Sequence, residues 1–151
     1  MNIPKFIIIH HSLTDDNLEL SSYQAVKNYH ITEKGMIDIA YHALIEYVNK
    51  TPVVQLGRAD DTRGAHCIGM NERSIGVCFL GNFDLCEPDE AIYDTGAVYI
   101  AGKCLKYNIP LENIHPHYRY AIKTCPGRMF NMAKLVLKTE IELNKLKGGV
   151  L

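Results

Sequence analysis

With 151 residues, 47% of them apolar, the chain has material for one hydrophobic core and too little for two ordinary ones, so residues 1–151 are expected to form a single domain. Sixteen basic residues against 17 acidic ones leave a formal net charge of −1. No long basic run is present, which removes the electrostatic footprint of a nucleic-acid partner. The lysines near the end (Lys134, Lys138, Lys145, Lys147) read as the solvated face of a helix. No stretch is apolar for long enough to span a membrane. The start, Met1-Asn2-Ile3-Pro4-Lys5, is not that of a signal peptide, so a cytoplasmic location is expected. The five cysteines (Cys67, Cys78, Cys86, Cys104, Cys125) are odd in number, widely spaced and without a CxxC pair. They read mostly as buried thiols acting as small apolar residues, not as a disulfide framework.

In chain order, Lys5 to His11 predicts a strand. Its consecutive β-branched Ile7, Ile8 and Ile9 suit a central strand buried on both faces. Ser21 and Gln24 form a capping-box pattern for a helix through about Tyr29. After Gly35, Ile39 to Val48 reads as a strand with Tyr41, Ala43 and Ile45 on one face, and Val53 to Leu56 as its hairpin partner. Ile75 to Leu80 is a further buried strand. Pro88 and Asp89 open a helix that runs to Tyr107, and Asn108 and Pro110 close it. A loop with His115, His117 and Cys125 follows, then a helix from about Arg128 to Lys147, stopped by Gly148-Gly149. Helices and strands alternate along the chain, which predicts an α/β fold: one central mixed sheet flanked by helices.

Three features carry chemistry. They are a histidine, His10 or His11, at the end of a buried strand, the His117 and Cys125 pair, and Lys123 two residues before Cys125. Zinc favours imidazole and thiolate ligands, and a catalytic zinc keeps three protein ligands and an open position. His10 and His11 are strand neighbours pointing to opposite faces, so only one can reach a metal. Cys125 precedes Pro126, which favours an extended backbone and puts Lys123 and Cys125 on one side. A metal ligand beside a cation suits amide hydrolysis, in which the ammonium steadies the developing oxyanion. His115 is a rival to His117. Taken alone, Tyr41 reads as a strand aromatic, Lys123 as a surface lysine, and His30 and His42 as structural.

Four segments in order resemble the type-2 N-acetylmuramoyl-L-alanine amidases, the group of phage T7-type lysozymes and peptidoglycan recognition proteins. They are Ile7-Ile8-Ile9-His10-His11-Ser12, Ile37-Asp38-Ile39-Ala40-Tyr41-His42, the stretch from Gly64-Ala65-His66 through Asn71 and Ser74 to Gly81-Asn82-Phe83, and His117 through Lys123-Thr124-Cys125-Pro126-Gly127. The resemblance implies one zinc per chain held by His10, His117 and Cys125, with Tyr41 and Lys123 catalytic and His66 in the substrate groove. It implies peptidoglycan as substrate and cleavage between N-acetylmuramic acid and L-alanine. Cytoplasmic recycling amidases usually carry Asp where Cys125 stands, which turns the reading toward a phage endolysin, held in the host cytoplasm until lysis. The alternatives are a non-catalytic peptidoglycan-binding module of the same fold and an intracellular muropeptide-recycling amidase.

Overall fold

The computed structural model describes residues 2–149, with five strands in one sheet: β1 (Phe6–His11), β2 (Ala43–Val48), β3 (Thr51–Leu56), β4 (Ser74–Phe79) and β5 (Ile114–Pro116). Their order is β3-β2-β4-β1-β5; β2 and β3 form an antiparallel hairpin, and the remaining pairings are parallel. The helices α1 (Tyr23–Thr32), α2 (Glu90–Tyr107) and α3 (Met132–Gly148) flank the sheet. This is the mixed sheet with packed helices that the alternation of elements predicts. Among the described residues no helix is long and apolar enough to cross a membrane.

Period-2 alternation divides the sheet into two chemically different faces. Ile7, Ile9, Ile45, Ile75, Val77 and Phe79 meet α2 and α3 in the main core, through residues such as Ile92, Tyr93, Ile100 and Leu135. The other face carries Ile8 and His10 of β1, with Ser74, Gly76 and Cys78 of β4 in register with Phe6, Ile8 and His10. Cys67 and Met70 cover Ile8, while Tyr23 and Val26 of α1 pack beside Leu44 and Cys78. α2 and α3 thus fill one face, and the other is left to α1 and loops, where polar side chains gather.

Several elements differ from expectation for identifiable reasons. The strand expected from Ile39 begins only at Ala43, so Tyr41 lies in irregular chain. The backbone of residues 39–42 is satisfied elsewhere: the Ala40 N–H donates to His30 Nδ1, Arg58 Nε donates to the Ile39 carbonyl, and the Arg58 N–H to the Tyr41 carbonyl. The capping box does not form. Ser21 Oγ and the Ser22 N–H both donate to the buried Glu46 carboxylate, and the Gln24 side chain turns to Asn28. α3 starts at Met132, where Asn131 caps the Lys134 N–H, so Phe130 reaches the core from the preceding turn. Lys134 and Lys138 are not merely a solvated face; they pair with Glu87, Glu90 and Asp94 and tie α3 to the α2 region. All five cysteines are free, and four are buried, with Cys86 the exposed one.

The loop from β3 to β4 is anchored by Asp60, which accepts from Lys103 Nζ at 2.7 Å and from the Tyr107 hydroxyl at 2.8 Å. Burial pushes the Asp60 carboxyl up, but the hydrogen bonds from Lys103 and Tyr107 outweigh it and hold the group below its ordinary 3.8. A carboxylate held low contributes its stability in full above the unfolded value and loses it as pH falls through the folded one. Asp60→Asn is therefore expected to cost about 1.5–3 kcal/mol at neutral pH. The difference in melting temperature from the wild type should hold down to about pH 5 and close below about pH 4. A difference that persists undiminished at about pH 2 would contradict this assignment.

Candidate metal centre

β1 delivers His10 and His11 to opposite faces. The His10 side chain is almost fully buried, with ring centroids 4.4 Å from His117, 4.9 Å from His66 and 5.2 Å from Tyr41. His11 turns to the helix side, where its ring stacks on Phe83 and its Nδ1 accepts from the Phe83 N–H at 3.1 Å. The main chain of His11 still faces the site, since its N–H donates to Cys125 Sγ at 3.4 Å.

His117 arrives because β5 pairs with β1, Ile9 opposite Pro116, and the chain then enters a short 3-10 turn over His117–Arg119. The Tyr118 N–H donates to the Cys125 carbonyl at 2.9 Å and closes the intervening loop. Asp84 pins the cysteine turn, accepting from Thr124 Oγ1 at 2.9 Å and from the Arg128 N–H at 3.0 Å. Gly127 adopts φ +119°, and a Cβ there would sit 2.4 Å from the Phe83 carbonyl carbon, so the position requires glycine. His115, which sits on β5 and not in a loop, engages both ring nitrogens away from the cluster, Nδ1 with the Tyr120 hydroxyl and Nε2 with the Glu112 carbonyl.

Among the described residues, His10, His117 and Cys125 form a group able to hold a metal, with one ligand atom from each lying within 4.8 Å of the others. Tetrahedral zinc, with bonds of about 2.0–2.1 Å to nitrogen and about 2.3 Å to sulfur, spaces its ligand atoms by about 3.3–3.6 Å. The 3.7 Å from His10 Nδ1 to Cys125 Sγ is close to that spacing. Two imidazoles and a thiol match zinc's preferences and are poor ligands for calcium or magnesium.

Burial sets the charge state of the donors. It holds His10 well below the ordinary histidine value, helped by His66, His117 and Lys123. Burial and then the Lys123 charge lower His117 to about 4. Burial raises the Cys125 thiol to about 11, against the pull of the His11 N–H and Lys123. At neutral pH the imidazoles are neutral and ready to ligate, whereas Cys125 carries a proton that a metal displaces. The Tyr41 phenol is held well above its usual range by burial, then by the Cys78 and Cys125 thiols, and stays a proton donor. Lys123 is exposed, with its charge felt at His10, His117 and Cys125. His66 is buried, with Nδ1 2.9 Å from His10 Nε2. Sequence reading missed Asp84, which holds the cysteine turn through Thr124 Oγ1 and the Arg128 N–H, and Arg58, which holds the Tyr41 segment through the Ile39 carbonyl; such contacts leave no motif.

A family model described as N-acetylmuramoyl-L-alanine amidase matches residues 1–128. The endolysin of Escherichia phage T7 is 32% identical over 140 residues, covering 89% of this chain and 87% of its own length. The N-acetylmuramoyl-L-alanine amidase LysC from Clostridium intestinale shares the fold at a TM-score of 0.77 and 23% identity, over 92% of this chain and 87% of that one. A variant of the Drosophila peptidoglycan recognition protein PGRP-LB, solved in complex with tracheal cytotoxin, matches at a TM-score of 0.77 and 24% identity, over 86% and 79%.

With this donor geometry, metal-free protein should take up one zinc per chain. Cys125→Ala and His117→Ala should each weaken that affinity at least about a hundredfold, while His115→Ala stays near wild type. Competition with a chromophoric chelator measures all three. Retention of tight binding in Cys125→Ala, with loss in His115→Ala, would overturn the ligand set.

Proposed function

Because the chain belongs to the N-acetylmuramoyl-L-alanine amidase family, we propose that it is a zinc-dependent amidase. Its substrate in this reading is the amide between N-acetylmuramic acid and L-alanine of bacterial peptidoglycan, and its role that of a phage-type endolysin. The observation that carries the reading is the buried trio of His10, His117 and Cys125 with Tyr41 and Lys123 beside it. Residues 1–151 then act as one catalytic domain, held in a host cytoplasm until lysis. Peptidoglycan as the ligand class is supported by the structural relatives in complex with tracheal cytotoxin, a monomeric diaminopimelic acid-type peptidoglycan.

His10, His117 and Cys125 would hold a zinc ion, which would supply Lewis-acid chemistry for the carbonyl and for water. The remaining work falls to the chain. Hydrolysis builds negative charge on the former carbonyl oxygen, and donors already aimed at that oxygen stabilise it without reorganisation. Tyr41, kept protonated by burial, donates a hydrogen bond there. Lys123, at the exposed edge, brings its ammonium to the site, where its charge adds to burial in holding His117 low. Binding of a muropeptide without cleavage is the second reading, favoured by the likeness to peptidoglycan recognition proteins.

Tyr41→Phe and Lys123→Ala are each expected to lower the wall-lysis rate about a hundred- to a thousandfold, with zinc content and muropeptide affinity unchanged. Mass spectrometry of digested peptidoglycan should find free stem peptides with a new L-alanine amine and intact glycan strands. New reducing sugar ends would refute the amidase reading. Tight muropeptide binding with zinc in place and no released peptide would establish the binder.

A further inference from the structure

Beside the three metal donors lies a fourth buried side chain that is not a ligand. His66 is 8% exposed. Its ring occupies a slot between two glycines. A Cβ at Gly76 of β4 would lie 2.5 Å from the His66 ring, and a Cβ at Gly64 would also lie 2.5 Å from it. Asn71 Oδ1 accepts from the His66 N–H at 2.8 Å and from the Cys67 N–H at 2.8 Å, which fixes the backbone from which the ring projects. His42 closes the slot edge-on at 5.7 Å and is itself held, with Nδ1 accepting from the Gly76 N–H and Nε2 on the Thr62 carbonyl. A side chain so confined has one orientation, and that orientation aims Nδ1 at His10 Nε2 from 2.9 Å.

The direction of the hydrogen bonds follows from the far end of the chain of contacts. The Met70 carbonyl only accepts, and Ser74 Oγ donates its single proton to it at 2.7 Å. The Ser74 oxygen facing His66 Nε2, 3.5 Å away, is then an acceptor, which places the neutral His66 proton on Nε2. His66 Nδ1 carries a lone pair and accepts from the His10 Nε2–H. His10 is left with its lone pair on Nδ1, the atom that faces Cys125 Sγ at 3.7 Å. We propose that His66 is a positioning residue that fixes the tautomer and ring orientation of His10, so that Nδ1 is presented to the metal. In metal sites the second ring nitrogen of a ligating histidine is commonly held by a carboxylate or carbonyl; here a neutral imidazole, clamped by Gly64 and Gly76, takes that place. The proposal rests on the zinc reading of the same site for its consequence, but its structural content concerns His10 in the metal-free protein.

The test has two arms. Long-range nitrogen–proton NMR on metal-free wild type should find both His10 and His66 protonated at Nε2 and bare at Nδ1. A His10 protonated at Nδ1 would overturn the proposal without any variant being made. In the second arm, zinc affinity is measured for His66→Ala and His66→Asn, together with the visible spectrum of the cobalt-substituted proteins. His66→Ala should lose about 10- to 100-fold in affinity, mix the His10 tautomers and alter the cobalt bands. His66→Asn, which returns an acceptor oxygen near the Nδ1 position, should recover much of that loss. Equal affinity and an unchanged His10 tautomer in His66→Ala would overturn the proposal. Wild-type protein that binds no zinc but keeps the tautomer pair would sink the zinc reading and leave the positioning of His10 by His66 standing.

Discussion

The site depends on the burial of β1 on both faces. Parallel neighbours on each side, β4 and β5, fix its register and leave no freedom to slip by one residue. Ile7 and Ile9 lock one face into the helix-packed core, and Ile8 lies under Cys67 and Met70 on the other. The alternation that satisfies these three isoleucines dictates that His10 points into the polar side and His11 into the core side. A slip of one residue would exchange the two imidazoles and bring apolar side chains to the site. The same pairing with β5 carries His117 to His10, so sheet register and donor geometry are one constraint.

Burial then does chemical work. A buried imidazole is costly to charge, and the cluster contains three, His10, His66 and His117, each held below its usual value first by burial. Their neutrality makes lone pairs available and lets them sit against one another without repulsion. Buried polar groups also demand partners, and the network supplies them: His42 and His30 accept main-chain N–H groups, and Asn71 accepts two. The described residues leave few such atoms alone; His11 Nε2 is one, on the core side. Tyr41 is positioned by this network, because His30 and Arg58 hold the irregular segment that precedes β2.

The sheet and its helices are legible in the sequence because their periodicity is local: a β-branched run for β1, and Asp89 and Asn108 bracketing α2. The stretch before β2 reads as strand because nothing local reveals that Arg58 and His30, distant in sequence, satisfy its backbone. The Ser21 and Gln24 pattern misleads for the same reason, since a buried glutamate from another strand takes the serine hydroxyl. At the site, the family resemblance points to His10, Tyr41, His117, Lys123 and Cys125, with His115 a rival that the residues alone do not remove. The structure groups His117 with His10 and Cys125 and turns both ring nitrogens of His115 to Tyr120 and Glu112. The stretch from Gly64 to Gly76 belongs to one of the resembling segments, but the slot it makes around His66 is not legible there, because spacing alone does not show that Gly64 in the loop and Gly76 on β4 face the same ring.

X-ray absorption at the zinc edge on loaded protein tests the central claim most directly, because it counts donors by element and needs no substrate. The account predicts one sulfur at about 2.3 Å and two imidazole nitrogens at about 2.0–2.1 Å, with a light atom completing four-coordination. A zinc shell of nitrogen and oxygen alone, without sulfur, would remove Cys125 from the site and contradict the account.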